Sequence, residues 1–243
     1  MTQQTGPAAL ITGGAQRIGR AIVEHLHEAG YRTAIHYRNS ATEARALGRR
    51  LNVIRPHSAI TLQADLSEIS DIKRLCQAFN EKFGCCSLLV NNASSFYPTE
   101  MGKVTEQMWD DLFASNAKAP LFICQQLMSS FTRGASIVNI ADIHAERPLK
   151  SHTVYCMAKA ANRMLTQSLA LELAPNIRVN GIAPGAILPP NGQPLDIEKV
   201  VENIPLKKLG GEQAICEAVL YLANADYVTG QIVNVDGGRT LRQ

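Results

Sequence analysis

No run of Lys or Arg in the chain exceeds two residues, no CxxC pair or HExxH spacing occurs, and no apolar stretch is long enough to span a membrane. Each absence removes a class of function. Without a basic run, the mild net charge of +3 suits small anionic ligands and does not imply nucleic acid. With the histidines scattered and no ligand spacing, no metal site is expected. The six cysteines are Cys76, Cys85, Cys86, Cys124, Cys156 and Cys216; the adjacent pair Cys85 and Cys86 is a poor start for a disulfide framework. They read as reduced thiols, mostly small core residues, of a cytoplasmic protein. The opening "MTQQTGPAALITGG" lacks the basic start and long apolar run of a secretion signal. There is no internal repeat and no low-complexity linker.

What is present points to one α/β domain. Of 243 residues, 46% are hydrophobic and 19% charged, ample for a buried core and wrong for disorder. Seven short apolar runs read as strands: "AALIT", "RTAIHY", "SAITLQA", "SLLVNN", "ASIVNI", "IRVNGI" and "QIVNV". Helical periods lie between them, as in "IGRAIVEHLHEAG", where Ile18, Ile22, Leu26 and Ala29 share a face and Gly30 ends the turn. Alternating strands and helices predict a parallel sheet with helices on both faces. The one long irregular segment is rich in Pro and Gly and is expected to be a flexible substrate lid at about 186–210, containing a short helix.

"LITGGAQRIGRAI" follows the first strand. Gly13 permits a tight turn, Gly19 lets helix pack on strand, and the helix start offers N–H groups to a pyrophosphate. The fit to GxGxxG is partial, because Arg17 stands where a middle glycine is usual. The second strand ends in "HYRNS" with no Asp or Glu for a ribose 2′-hydroxyl. His36, Arg38 and Ser40 form a donor set suited to a 2′-phosphate, which predicts NADPH rather than NADH. A solvated Arg on a surface loop is the plain alternative.

Gly13-x-x-x-Arg17-x-Gly19, "ADL" at Asp65, "NNAS" at Asn91, Asn116, Tyr155-x-x-x-Lys159 and "RVNGIAPG" up to Gly185 resemble the short-chain dehydrogenase/reductase family, in family order across nearly the whole chain. Arg17, "HYRNS", "NNASSFYPT" and Asp142 resemble the pteridine reductases within it. Where common members carry TGxxxGxG, NNAG and a Ser thirteen residues before the Tyr, this chain carries Arg17, Ser94 and Asp142. The resemblance implies a Rossmann-type, doubly wound, seven-stranded sheet in a single domain, NADPH as cofactor and a homotetramer. It implies that Asp65 bonds the adenine and that Asn92 and Ala93 line the ribose side. It also implies that Lys159 holds the nicotinamide ribose, that Pro184 and Gly185 border the carboxamide, and that Arg17 and Ser94 bond pterin and cofactor. Ile18, Tyr37 and Leu66 complete the expected cofactor contacts.

Four residues is about one helical turn, so Tyr155 and Lys159 project from one face. Spacing alone also fits an ordinary amphipathic helix; in this scaffold the pair reads as catalytic. A nearby ammonium favours phenol ionisation, making Tyr155 a competent proton donor to a group receiving hydride. Phe96 follows the fourth strand's carboxyl end, where a flat substrate could stack on it. Asp142 is expected to join Tyr155 and Lys159, since a carboxylate would repel the oxyanion of a carbonyl substrate but suits the ring nitrogens of a pterin. The site expected is therefore Asp142, Tyr155 and Lys159 for chemistry, with Arg17, Ser94 and Phe96 on the substrate. The reaction expected is NADPH-dependent reduction of dihydropterins, with oxidised pterins or dihydrofolate as further candidates. A 3-oxoacyl or other carbonyl reductase and a silent NADPH-binding regulator are the rivals. His152 is expected to line the pocket without an assigned role, and Trp109, Tyr97 and Cys156 to be packing.

Overall fold

The computed structural model of the chain describes residues 6–189 and 197–242. The seven apolar runs form β1 (Ala8–Ile11), β2 (Arg32–Tyr37), β3 (Ala59–Gln63), β4 (Cys86–Asn91), β5 (Phe131–Ile140), β6 (Ile177–Pro184) and β7 (Ile232–Val235). They lie in one parallel sheet of order β3-β2-β1-β4-β5-β6-β7. The chain winds outward from β1 to β3, then crosses back to place β4 on the other side of β1. The order therefore reverses between β1 and β4, and a crevice opens beyond their carboxyl ends.

Successive strand residues point to opposite faces, so both faces must be apolar once helices cover them. Ala9 and Ile11 enter one core with Val23, Leu26, Leu47, Ile215 and Val219. Ala8 and Leu10 enter the other with Ile72, Phe79, Ile123 and Leu169. The first core is covered by α1 (Arg17–Glu28), α2 (Ala41–Ile54) and α8 (Gly211–Asn224); the second by α3 (Ile69–Phe83), α5 (Ala119–Leu127) and α6 (Thr153–Leu173). Each fully buried Leu, Ile or Phe contributes about 1.5–3 kcal/mol. Ile22 and Leu26 are buried as the periodicity of α1 predicts, Ile18 packs against the same core, and Gly30 follows the helix at φ +96°.

Two irregularities position the crevice. Helix α4 (Glu106–Phe113) runs into α5 through a π-helical turn, Ala114–Lys118. Pro120 has no N–H to offer the carbonyl of Asn116 four residues earlier, so that carbonyl instead accepts the Asn162 side-chain amide at 2.8 Å. The second is the segment after β6. Its two ends are tied together, Gly210 N–H to Ala186 O and Gly211 N–H to Ile187 O, both at 3.0 Å. Between them lies α7 (Ile197–Glu202), the short helix expected there; residues 190–196 of the expected lid lie outside the described residues. Among the described residues no helix is long and apolar enough to cross a membrane.

Candidate active site

The carboxyl ends of β1, β2, β4, β5 and β6 carry most of the residues singled out from the sequence. At β1, Gly13 adopts φ +62° and Gly19 lies so close beneath the loop that a Cβ would meet Gly13 O at 2.1 Å and the Asn92 amide nitrogen at 2.6 Å. Asn92 donates to Thr12 O and Gly13 O, while the Thr12 hydroxyl accepts the N–H groups of Asn92 and Ala93 at 2.9 and 3.0 Å. These bonds lock the loop after β1 to the loop after β4. Arg17 occupies the left-handed region at φ +50°, which explains why glycine is usual there, and its guanidinium donates to Pro189 O at 2.9 Å.

His36 departs from expectation. Its ring is buried, Nδ1 accepts the Gly13 N–H at 3.0 Å, and Nε2 donates to Ala64 O at 3.1 Å. Both nitrogens are engaged, so the ring is a clamp on the glycine loop and not a free donor to a 2′-phosphate. Burial lowers its pKa to about 4, keeping it neutral. Sequence alone cannot show burial at a strand's end, and the donor chemistry of histidine was therefore misplaced. Tyr37 is likewise in the core, and its carbonyl accepts Ala64 N–H.

Behind this clamp opens a cleft of about 320 Å³ that His36 itself helps to line, with Gly13, Arg38, Asp65, Leu66, Ala93 and Ser94. Arg38 and Asp65, both substantially exposed, stand 3.9 Å apart. The Ser67 backbone N–H, bonded to the Asp65 carboxylate, holds that group below its ordinary pKa against the effect of burial. Ser40 sits half-buried at the start of α2. At β6, Pro184 ends the strand and Gly185 packs where a Cβ would meet Asp236 Cα at 2.7 Å. A left-handed glycine turn, a helix closed tightly on it and an adjoining cleft fit a dinucleotide.

Asp142 follows β5 and Tyr155 lies in the first turn of α6, thirteen residues on. Tyr155 donates to Asp142 Oδ2 at 2.6 Å. The other oxygen, Oδ1, accepts the His144 N–H at 2.8 Å and caps the short 3₁₀ turn Ile143–Ala145. One carboxyl group thus fixes a turn and holds a phenol. Tyr155 is only 4% exposed, and burial followed by the Asp142 charge pushes its pKa well above the ordinary value. These two effects outweigh the ionisation expected from a neighbouring ammonium; Lys159 is itself 2% exposed, and burial lowers its pKa to about 8. Its Nζ donates to Ile140 O at 2.8 Å and lies 5.8 Å from the Tyr155 ring centroid.

Phe96 is 55% exposed and so is no core aromatic. Its ring meets Tyr155 edge-on at 4.8 Å and stacks on His152 at 4.7 Å and 16°. The stack with His152 was not foreseen, although His152 lies one helical step before Tyr155. Ser94 lies between cleft and phenol, its hydroxyl donating to Asn116 Oδ1 at 2.8 Å and close enough to Tyr155 to influence its ionisation. Asn116 also donates to Ser95 O and Leu112 O, so the π-helical turn holds the loop after β4 in place. The sequence "NAKAP" carried that signal, a proline four residues after an asparagine inside a helical period. Cys156 is buried, as expected for packing. Trp109 stacks on Phe113 and remains partly exposed. Among the described residues no group of three His, Cys, Asp or Glu could hold a metal ion.

A family model described as enoyl-(acyl carrier protein) reductase matches residues 13–240. A pteridine reductase 1 from Leishmania tarentolae is 38% identical over 284 aligned residues, covering 99% of this chain and 98% of the relative. A 3-oxoacyl-(acyl-carrier-protein) reductase FabG from Staphylococcus epidermidis is 31% identical over 239 residues, covering 95% and 98%. With the parallel sheet, the glycine loop and the Tyr155–Lys159 pair on one helix, these matches show that the chain belongs to the short-chain dehydrogenase/reductase family of oxidoreductases.

Proposed function

We propose that this chain is an NADPH-dependent pteridine reductase that converts dihydropterins to tetrahydropterins, and that oxidised pterins and dihydrofolate are further substrates. The observation that carries this reading is the 2.6 Å bond between Tyr155 and Asp142. Reducing a C=N bond adds hydride at carbon and a proton at nitrogen, and NADPH supplies the hydride when bound. Arg38 and Ser40 would hold its 2′-phosphate end, Asp65 and Leu66 its adenine, and Asn92, Ala93, Lys159, Pro184 and Gly185 its nicotinamide half.

The protein's own part is the proton. Burial keeps the Tyr155 phenol protonated at neutral pH, and Asp142 fixes the direction of its hydroxyl. The hydroxyl has one hydrogen, which Asp142 accepts in this structure, so it must turn to a ring nitrogen to deliver its proton; the phenolate left behind is opposed by the Asp142 charge and stabilised by the Lys159 ammonium. Phe96, with one face against His152, offers its exposed side to a flat ring. The FabG relative supports a 3-oxoacyl reductase as the second reading. Against it, a carbonyl oxygen placed by Tyr155 would develop negative charge next to the Asp142 carboxylate.

The chain is further proposed to act in the cytoplasm as a homotetramer. Five of its six free thiols are buried, which suits a reducing compartment. Met157, Met164 and Leu171 recur at seven-residue intervals along α6 and are exposed, as are Leu121 and Met128 on and just beyond α5. Apolar stripes on two helices suit subunit contact. Initial rates of NADPH oxidation with dihydrobiopterin, dihydromonapterin, dihydrofolate and a 3-ketoacyl thioester test the reading. Turnover of the thioester without turnover of any pterin would overturn it.

A further inference from the structure

Beyond Asp142, on the far side of the turn it caps, lies a cavity of about 200 Å³ lined by Ile143, His144, Arg147, Asn203, Arg239 and Arg242. Three arginines from two distant parts of the chain line one small volume, and none of the described residues lining it is acidic. Of the nearby carboxylates among the described residues, three are engaged elsewhere. Glu146 pairs with Arg163 at 2.6 Å. Asp236 accepts the N–H groups of Gly238 and Thr240 at 2.9 and 2.7 Å, and Asp142 accepts from His144 and Tyr155. The Glu202 side chain is exposed and does not line the cavity.

Among the described residues, two of the arginines are oriented by neutral carbonyl partners and none of the three has an acidic partner. Arg147 donates to the carbonyl of Arg242, and Arg242 donates to the carbonyl of Glu202 at 2.6 Å. Each bond engages one nitrogen of a five-donor fork and holds the plane of the remainder. Arg239 is half-buried, and among the described residues its guanidinium has no hydrogen bond and no ion pair. His144 Nδ1 donates to Arg147 O at 2.8 Å, which fixes the tautomer of the ring at the cavity wall. Three neighbouring cations, with no acidic side chain among the described residues of the lining, repel one another, and an oxyanion accepting from their forks reverses the sign of that interaction.

We propose that this cavity is an anion site that takes a phosphate or carboxylate group. Its wall, the turn Ile143–Ala145, begins at Asp142, so an occupant sits across one turn from the Tyr155–Asp142 pair. Two sources share this chemistry: a free inorganic or organic anion, and the carboxylate tail of a pterin substrate such as dihydrofolate. The second source rests on the pteridine reductase reading; the site itself does not.

The test uses the NADPH-saturated protein. Calorimetric titration with inorganic phosphate, against chloride at matched ionic strength, measures the site directly. Arg239→Gln should weaken phosphate by about tenfold or more, the effect of losing one charge-assisted contact. Arg239→Lys, which keeps the charge but not the fork, should recover part of the affinity. Because Arg239 makes no side-chain bond among the described residues, Tm should not change; if it falls, Arg147→Gln replaces it as the test. In the second arm, KM is measured for dihydrofolate and for dihydrobiopterin, which has no carboxylate. A rise of about tenfold for dihydrofolate alone identifies the substrate tail as the source. Loss of phosphate binding with both KM values unmoved identifies a free anion. Should the wild type reduce no pterin yet bind phosphate in an Arg239-dependent way, the functional reading fails and the site stands. Equal phosphate affinity in wild type and variants, with both KM values unmoved, overturns the site.

Discussion

Replacing Asp142 by Asn separates the two tasks of this side chain. Both carboxyl oxygens are in use, Oδ1 accepting from the His144 N–H at 2.8 Å and Oδ2 from the Tyr155 hydroxyl at 2.6 Å. An amide has one acceptor oxygen, so one partner must lose its bond. If the oxygen stays with His144, the amide donor faces the phenol. A buried hydrogen bond to a charged group contributes about 1.5–3 kcal/mol, and its loss at the transition state lowers kcat by roughly ten- to a hundredfold. If the amide turns instead, the cap is lost, and about 1 kcal/mol of stability appears as a fall of about 2–4 °C in Tm. Asp142→Ser distinguishes the cases, because a hydroxyl can cap the turn but cannot also reach Tyr155. It should keep Tm, fail to restore pterin reduction and favour a ketone substrate. Removing the Asp142 charge should also lower the Tyr155 pKa, moving any alkaline limb due to that phenol to lower pH. The assay is kcat and KM for dihydrobiopterin, with NADPH affinity by fluorescence and Tm by calorimetry. Wild-type kcat in Asp142→Asn, with NADPH affinity intact, would refute a role for the carboxylate in the chemistry.

Arg38→Ala should raise the NADPH KM by about tenfold and leave NADH little changed; an unmoved ratio of specificity constants would remove Arg38 from the 2′-phosphate. Phe96→Ala should raise the pterin KM by about two- to tenfold, the loss of a stack worth about 0.5–1.5 kcal/mol, with NADPH affinity preserved. Lys159 is protonated below its pKa of about 8 and neutral above it, so kcat/KM should fall as pH rises through that value. A flat profile from pH 7 to 9 would show that the ammonium is not required (about one unit either side of that pKa). Light scattering should report a tetramer, and Met164→Glu with Leu171→Glu should dissociate it; a wild-type monomer at micromolar concentration would contradict the interface.

The sheet was legible because its strands are short apolar runs bounded by helical periods, and a strand covered on both faces has no polar side to blur the pattern. The glycine loop and the Tyr155–Lys159 pair were legible for a similar reason, since each is a local arrangement fixed by a turn or by one helical step. Asp142 could be singled out from its separation from Tyr155, but not its division of labour, which needs β5 and α6 brought side by side. His36 could be read only as a donor until burial showed both its nitrogens engaged. The same holds for the Phe96–His152 stack and for the cavity at Arg239, whose members lie dozens of residues apart. Local sequence determined which elements form and which groups they carry. Which of those groups meet, and which are withdrawn from solvent, was decided by the packing of the helices on the sheet, because distance and burial belong to the folded chain and not to the order of its residues.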